Sequence, residues 1–152
     1  MSTDAIVLLK NDHKEVERLF KKFEKASASS QRKGEIAKEV SRLLTAHTYV
    51  ENEVMYPQVR ELVPALEDDI LESYEEHHVV EVLLKELAAL GPDDEAFEPK
   101  FTVLIENVRH HVKEEEDEWF PKVRDGLGRN RLQEIGASME QLKSNAPAGP
   151  AG

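Results

Sequence analysis

Apolar residues recur along four long stretches of the chain at the spacing of an amphipathic helix. In the first stretch they stand at positions 6, 9, 16, 20 and 23, with a single vacancy in the stripe at position 13. Similar stripes run through residues 36–54, 70–87 and 101–115. No segment shows the alternation of apolar and polar residues that is typical of a half-buried strand. The pattern therefore predicts an all-α protein.

Capping and breaking residues set the limits of the first two helices. Asp4 can cap a helix that runs to about Ala26, and a polar connection follows over residues 27–34. Pro57 ends or kinks the second helix, because proline cannot donate to the carbonyl four residues earlier. Pro64 indicates a break before the third helix.

The second part of the chain follows the same plan. A third helix covers about residues 65–90 and stops at Gly91, while a fourth begins near residue 96 or 99 and is ended or kinked at Pro121. A short fifth helix over residues 129–142 packs on the outside or forms a flap, and residues 144–152 resemble a disordered tail. Two helical hairpins of this kind predict an up-down-up-down four-helix bundle with a short extra C-terminal helix.

Six polar residues interrupt the apolar stripes at positions where leucine or valine would fit the pattern. They are His13, His47, Glu51, His77, His111 and Glu115. Burial of an ionised glutamate without a partner costs several kcal/mol, and an unpaired neutral histidine costs about 1–3 kcal/mol. Six such residues in one layer would outweigh a typical net stability of about 5–15 kcal/mol. No lysine or arginine on these stripes neutralises the carboxylates, so a bound cation is predicted.

The same positions reveal a tandem repeat. Four pairs stand 64 residues apart: His13 and His77, His47 and His111, Glu51 and Glu115, and Pro57 and Pro121. Each half therefore contains a histidine, then His-x-x-x-Glu, then a proline, and we expect one domain over residues 1–143 that consists of two half-repeats. Oxygen and nitrogen ligands alone indicate a first-row metal. Two glutamates that each bridge two ions would leave two histidines per ion, which predicts a dinuclear site.

Other ionisable residues near these positions are expected to lie outside the inner set. The repeat register and the apolar stripe select His77 over His78 and His111 over His110. His78 and His110 are therefore predicted to be outer or surface residues. In the acidic run over residues 114–118, Glu115 is the member that lies one turn from a histidine on the core face.

Composition narrows the classes of partner. The chain has 152 residues and a formal net charge of −11, which disfavours nucleic acid and anionic membrane surfaces. It contains no cysteine, which excludes disulfides and thiolate metal sites and is compatible with a reducing cytosol. The early apolar run over residues 5–9 is too short for a signal peptide or a membrane span. We expect a cytoplasmic protein whose partners are small molecules, and a monomer is one possible oligomeric state.

The motif H…HxxxE…H…HxxxE resembles that of the hemerythrin-like HHE cation-binding family, over about residues 4–125. The resemblance implies a non-heme centre of two iron ions, oxo- or hydroxo-bridged, inside a four-helix bundle. It also implies binding of, or reaction with, O2, peroxide or NO, or a role as an iron-linked sensor. The ligand types alone also allow manganese or zinc.

Two functions remain open under this resemblance. Oxygen-carrying members use a fifth histidine, and this sequence has none at the required spacing. A site poorer in nitrogen favours redox turnover of peroxide, with catalase- or peroxidase-like activity. The alternative is a binding protein for O2, NO or iron that acts as a carrier, store or sensor without turnover. Whether the protein is an enzyme is thus undecided by the sequence.

Tyr56 is a possible additional metal ligand. It precedes Pro57, which biases its backbone away from the helical region and could turn its phenol toward the site. Its counterpart in the other half, Phe120, has no oxygen. One interpretation is an aromatic plug at the end of the bundle that both halves share. The other is a phenolate ligand on one iron, which some members of the family are thought to use.

Overall fold

Helices make up nearly all of the chain that the structure describes. The computed structural model describes residues 4–26 and 30–147 and contains no strand within these ranges. The α-helices are α1 (Ala5–Lys25), α2 (Ser30–Val50), α3 (Tyr56–Leu62), α4 (Glu67–Ala89), α5 (Phe97–Glu114) and α6 (Phe120–Lys143). Two π-helical turns, Glu51–Met55 and Glu115–Trp119, join α2 to α3 and α5 to α6, and a 3-10 turn, Pro64–Leu66, precedes α4. The predicted all-α fold is confirmed.

The helices form the predicted four-helix bundle, with α2–α3 and α5–α6 as its two composite members. Asp4 caps α1 as predicted, because its carboxylate accepts from the amides of Ile6 at 2.9 Å and Val7 at 3.2 Å. The polar connection predicted over residues 27–34 is too long. Residues 30–34 already belong to α2, and residues 27–29 lie outside the described part of the chain.

The two π turns stand directly before the two repeat-related prolines. In the first, the amide of Tyr56 donates to the carbonyl of Glu51, five residues earlier. In the second, the amide of Phe120 donates in the same way to Glu115. An α-helix would instead use a carbonyl four residues earlier, so each turn contains one extra residue. This wider turn lets the chain continue as a helix past a proline that has no amide hydrogen.

For these prolines the structure excludes one of the two predicted outcomes, the end of the helix, and it corrects the expectation about the backbone of Tyr56. Neither Pro57 nor Pro121 ends its helix, since α3 and α6 continue beyond them. Tyr56 does not leave the helical region but has φ −64° and ψ −45°. The predicted break at Pro64 is confirmed, because Val63 has the non-helical values φ −131° and ψ 73°.

A bend at Gly128 directs the C-terminal part of α6 onto the bundle. Gly128 has φ 78° and ψ 172°, a conformation that essentially only glycine adopts. After this bend Leu132, Ile135 and Met139 are buried in the core. The predicted short extra helix over residues 129–142 is thus confirmed as the part of α6 after this bend, and its buried side chains show that it packs against the bundle and does not form a flap. Of the predicted tail, residues 144–147 follow α6, and residues 148–152 lie outside the described part.

Two apolar clusters fill the interior on either side of the six polar positions. On α1, for example, His13 lies between Leu9 of one cluster and Val16 of the other. The histidines of the other helices stand between the clusters in the same way, so a buried polar layer crosses the bundle. Among the described residues, no helix is long and apolar enough to cross a membrane.

Candidate metal centre

The six residues that the repeat identifies lie together in this buried layer. None exposes more than 9% of its surface, and Glu51 and Glu115 expose 0% and 2%. Their ligand atoms form two groups whose members lie within 4.8 Å of one another: His13, His47 and Glu115, and Glu51, His77 and His111. Each group joins two histidines of one half-repeat to the glutamate of the other half. The two half-repeats therefore complete each other's site.

Each glutamate also lies between histidines of the two groups. Glu51 Oε1 is 3.0 Å from His47 Nε2 and 3.1 Å from His77 Nε2. Glu115 Oε1 is 3.3 Å from His13 Nε2, and Glu115 Oε2 is 3.0 Å from His111 Nε2. Two carboxylates that bridge a pair of ions would need this arrangement, because each carboxylate lies close to one histidine of the His13–His47 pair and one of the His77–His111 pair.

The second ring nitrogen of each of the four inner histidines is held by a polar side chain from another element. The Nδ1 contacts are His13 to Glu116 at 2.6 Å, His47 to Asp12 at 2.9 Å, His77 to Asn52 at 2.8 Å and His111 to Glu76 at 2.7 Å. Since these partners are acceptors, each Nδ1 carries a hydrogen, which leaves Nε2 as the nitrogen that faces the site and that can bind a cation once it has lost its own proton. Such outer partners fix the orientation of metal-binding imidazoles and raise their basicity.

The outer partners obey the 64-residue repeat, although sequence reasoning did not identify them. Asp12 corresponds to Glu76, and Asn52 corresponds to Glu116. The first pair is chemically matched, whereas the second places a neutral amide in one half and a carboxylate in the other. A signal was available in the sequence: each of these residues stands directly beside one of the six inner residues.

The second difference between the halves is Tyr56, which is fully buried beside one pair of histidines. Its hydroxyl donates to Glu115 Oε2 at 2.8 Å and lies 3.1 Å from His77 Nε2 and 3.4 Å from His111 Nε2. Burial raises the pKa of the Tyr56 phenol well above its usual value, and the carboxylates of Glu115 and Glu51 raise it further. Its counterpart Phe120 stacks on His13 instead, with ring centroids 6.1 Å apart.

The electrostatics of the layer require positive charge. Burial lowers the pKa of His47, but the carboxylates of Glu51 and Asp12 outweigh this and raise it to about 10. Burial likewise opposes protonation of His111, yet Glu115 and Glu76 raise its pKa to about 11. Burial raises the pKa of the Glu115 carboxyl, and His111 and His13 more than compensate, so that it falls well below its usual value.

Several buried ligand atoms nevertheless have no hydrogen-bond partner within the described residues: His13 Nε2, both carboxylate oxygens of Glu51, and Glu115 Oε1. The short distances around them thus lack hydrogen-bond geometry. Lone pairs of nitrogen and oxygen that converge without hydrogens between them fit a cation, because unpaired buried acceptors are costly. The donor set of the site, nitrogen and carboxylate oxygen, suits first-row divalent metals.

The remaining candidate histidines lie at the surface. His78 and His110 are exposed, and the His110 Nε2 lies 3.0 Å from Glu114 on the same helix. His110 and Glu114 also lie near Glu76 in a more open group that could hold a cation. Glu114, however, is only partly buried, so this group lacks the enclosure of the inner six.

Comparisons with known proteins show the family and the fold of this chain. The family described as Hemerythrin HHE cation binding domain matches residues 4–123. A curated DNA nickase of Nostoc sp. (strain PCC 7120 / SAG 25.82 / UTEX 2576) is 28% identical over 137 residues, which cover 90% of this chain and 38% of the nickase. The chain thus spans about two fifths of the length of that relative. The fold is similar to the crystal structure of a hemerythrin HHE cation binding domain-containing protein, an Rv2633c homolog from Mycobacterium kansasii, with a TM-score of 0.78, 21% identity, and coverage of 93% of this chain and 86% of that one.

Proposed function

This chain belongs to the hemerythrin family of HHE cation-binding domains, and we propose that it is a non-heme di-iron protein that reacts with peroxide or O2. The proposed ligands are His13, His47, Glu51, His77, His111 and Glu115. A pair of iron ions would supply redox chemistry toward peroxide or O2, which no side chain in this layer can supply. A cytoplasmic location is part of the proposal.

The observation that carries the proposal is the set of unpartnered lone pairs in the buried layer. Both oxygens of Glu51, one oxygen of Glu115 and the Nε2 of His13 converge there, and none of them has a hydrogen-bond partner among the described residues. Two glutamates, each within 3.3 Å of one histidine from either group, support a pair of ions rather than one.

The residues around the site have separable roles in this proposal. The four outer partners hold the imidazoles so that their Nε2 atoms face inward. The two glutamates supply negative charge, which favours the ferric state because hard oxygen donors stabilise it. The hydroxyl oxygen of Tyr56 lies 2.8 Å from Glu115 Oε2, so Tyr56 holds a proton that it donates to that carboxylate.

Peroxide turnover is favoured over reversible O2 carriage because the inner set contains four histidines and two carboxylates. In the proposed reaction, two molecules of hydrogen peroxide give one O2 and two waters, so no external reductant is needed. The second candidate function is a carrier, store or sensor for O2, NO or iron. It is supported by the same metal ligands, and by the fact that the carboxylates that contact the layer from outside, Asp12, Glu76 and Glu116, are each engaged by an imidazole Nδ1.

Metal content tests the ligand assignment. Glu51→Ala and Glu115→Ala should each lose most of the bound metal, because both ions then lose one of their two carboxylate ligands and the layer loses half of its negative charge. His78→Ala and His110→Ala remove exposed imidazoles and serve as matched controls that should keep it. Elemental analysis of the purified variants, with a visible absorption spectrum, gives both the count and the metal, since an oxo-bridged ferric pair absorbs and zinc does not. Equal metal content in all four variants would reject the assignment.

Oxygen release separates the two candidate functions. Iron-loaded protein is mixed with hydrogen peroxide and O2 is followed with an electrode, with Glu115→Ala as the control. Sustained release that disappears in the variant supports turnover. A spectrum that changes with O2 or NO and recovers on their removal, without consumption of peroxide, supports the binding protein.

Tyr56→Phe distinguishes a phenolate ligand from a hydrogen-bond donor. A tyrosinate bound to ferric iron gives a visible charge-transfer band, and the variant would lose it with little change in metal content. If Tyr56 only donates to Glu115, the band is absent from the parent protein as well.

The DNA nickase relative makes nucleic acid a point to test. The net charge of −11 disfavours binding to a phosphate backbone, and we propose that this chain has no nucleic-acid partner. Incubation of metal-loaded protein with supercoiled plasmid should leave it supercoiled. Relaxed circles that require the intact metal site would overturn this part of the proposal.

A further inference from the structure

A cavity of about 670 Å³ opens onto the histidine side of the metal centre. All four inner histidines line it, whereas Glu51 and Glu115 do not. Its inner wall is apolar and comes from core residues of four helices, among them Phe20, Leu44, Val80 and Val108, whereas charged residues line its outer part. The cavity thus lies between the polar layer and one apolar cluster, and a molecule inside it would touch both.

The mouth of the cavity lies between α1 and α5. Every exposed residue that lines the cavity belongs to α1 or to α5 and the π turn after it. On one side of the mouth, Arg109 reaches from α5 to α1 and donates to Glu17 at 2.8 and 2.9 Å and to Glu24 at 3.0 and 3.1 Å. On the other side, Glu116 contacts His13. These two contacts hold the helices together at the edges and leave a gap between them.

The charges at the mouth favour an anion. Each carboxylate that lines the cavity already has a cationic or imidazole partner: Asp12 with His47 and Lys143, Glu17 with Arg109, Glu116 with His13, and Asp117 with Lys113. Lys14 and Lys21, which also line the cavity, are exposed and form no ion pair within 4.0 Å among the described residues. Although the chain as a whole has a net charge of −11, these two lysines give one face of α1 a positive charge at the mouth of the cavity.

We propose that this cavity binds an organic anion with an apolar body, whose charged head lies at Lys14 and Lys21 and whose apolar part fills the space in front of the four histidines. A volume of about 670 Å³ falls in the range of sites for organic ligands, about 300–1,000 Å³, and far exceeds what O2 or hydrogen peroxide needs. Apolar walls with a few charged groups at one end are the usual design of such sites. The inference rests on the proposed function in one respect, namely that the bound molecule lies against the metal centre.

Calorimetric titration of the iron-loaded full chain with decanesulfonate tests the proposal, since a sulfonate is a weak metal ligand. We expect saturable binding of one molecule per chain. Methanesulfonate, which lacks the apolar body, and decyltrimethylammonium, which has the opposite charge, should bind at least tenfold more weakly. Metal content is measured on the same samples, so a protein without metal, which contradicts the proposed function, is distinguished from a metal-loaded protein that binds no anion.

Two sets of variants locate the binding. Lys14→Glu combined with Lys21→Glu should weaken the binding of decanesulfonate at least tenfold. Lys10→Glu combined with Lys22→Glu makes the same charge change on exposed positions of α1 outside the cavity and should alter it less than twofold. Val80→Phe should fill the cavity and abolish binding, while Val80→Ala should retain it, with folding verified by circular dichroism. Absence of saturable binding, equal effects of the two charge reversals, or full binding by folded Val80→Phe would overturn the proposal.

Discussion

The decisive feature among the single residues is the partner of each Nδ1 atom. A hydrogen bond from Nδ1 to an acceptor selects the tautomer in which Nε2 is free to bind a cation. One of these acceptors, Asp12, is itself kept ionised. Burial raises the pKa of Asp12, but His47 and Lys143 lower it to about 2. In the His13–His47 pair both acceptors are carboxylates, whereas in the His77–His111 pair one is the amide of Asn52.

This difference predicts unequal metal affinities in the two halves of the centre. An imidazole that donates to a carboxylate is the more basic ligand, so the His13–His47 position should fill first. Glu116→Gln gives His13 a neutral partner, as His77 already has, and should weaken metal binding at that position by about 10–100-fold. Anaerobic calorimetry with ferrous or manganous ion should show two separate steps in the parent protein that converge in the variant.

Glu118→Gln is the control for this prediction, because it removes the same charge from an exposed position of the same π turn. It should leave both binding steps in place. An unchanged isotherm for Glu116→Gln would mean that the outer partners do not differentiate the two halves.

The inner and outer residues differ in how visible they are in the sequence. The six inner residues are predictable because each interrupts an apolar stripe and recurs after 64 positions. The outer partners occupy positions where a polar residue on a helix is ordinary, so periodicity gives no reason to select them. Only the repeat, applied to the immediate neighbours of His13 and Glu51, would have pointed to Asp12 and Asn52.

Among the elements, the π turns determine which side chains meet in the site. In an α-helix, two residues five positions apart differ by about 140° around the axis. The π turn between Glu51 and Tyr56 brings positions of this spacing onto one face, because its hydrogen bonds join residues five apart. The proline rule predicted a disturbance at Pro57, but it could not specify that an extra residue would keep the helix intact. The direction of the Tyr56 phenol therefore had to come from the structure.

The bend in α6 depends on the backbone freedom of one glycine. Gly128→Ala should destabilise the protein by about 1–2 kcal/mol, since alanine is strained at φ 78° although a Cβ there would meet no atom within 4 Å. Chemical denaturation followed by circular dichroism measures the change.

Gly91→Ala is the matched substitution for the bend. A Cβ at Gly91 also meets nothing within 4 Å, and its φ lies outside the left-handed region. That variant should be neutral or slightly stabilising. A loss of stability equal to that of Gly128→Ala would show that backbone conformation is not the cause.

For the whole molecule, the buried charges couple stability to metal and to pH. Without metal, protons on the histidines must balance Glu51 and Glu115. The raised pKa values of His47 and His111 then contribute stability that is complete below about pH 6.5 and is lost as pH rises through about 10–11. The lowered pKa of Glu115 has the opposite pH dependence. The stability that it contributes is present above the usual pKa of a glutamate and is lost as the pH falls below that value.

Metal removal should therefore have a pH-dependent effect on thermal stability. The melting temperature of chelator-treated protein should fall between pH 6.5 and 10, whereas that of metal-loaded protein should fall less, because the ions replace the protons. The gap between the two forms should widen with pH, as measured by thermal scans in matched buffers. A metal-free melting temperature that is constant over this range would contradict the charge assignment, and a metal-loaded form that falls in parallel would contradict the exchange of protons for ions.

Each half-repeat supplies the glutamate that completes the histidine pair of the other half. This arrangement affects how the two groups can come to differ in sequence. A dimer of two identical half-length chains could complete both groups in the same manner, with every ligand supplied twice. In such a dimer the two equivalent positions would always carry the same residue type, because the chains are identical. When the two halves are fused in one chain, equivalent positions can carry different residues. Two such differences occur here, since Asn52 corresponds to Glu116 and Tyr56 corresponds to Phe120 in the repeat. Covalent linkage is thus what would permit the two proposed metal positions to differ from each other.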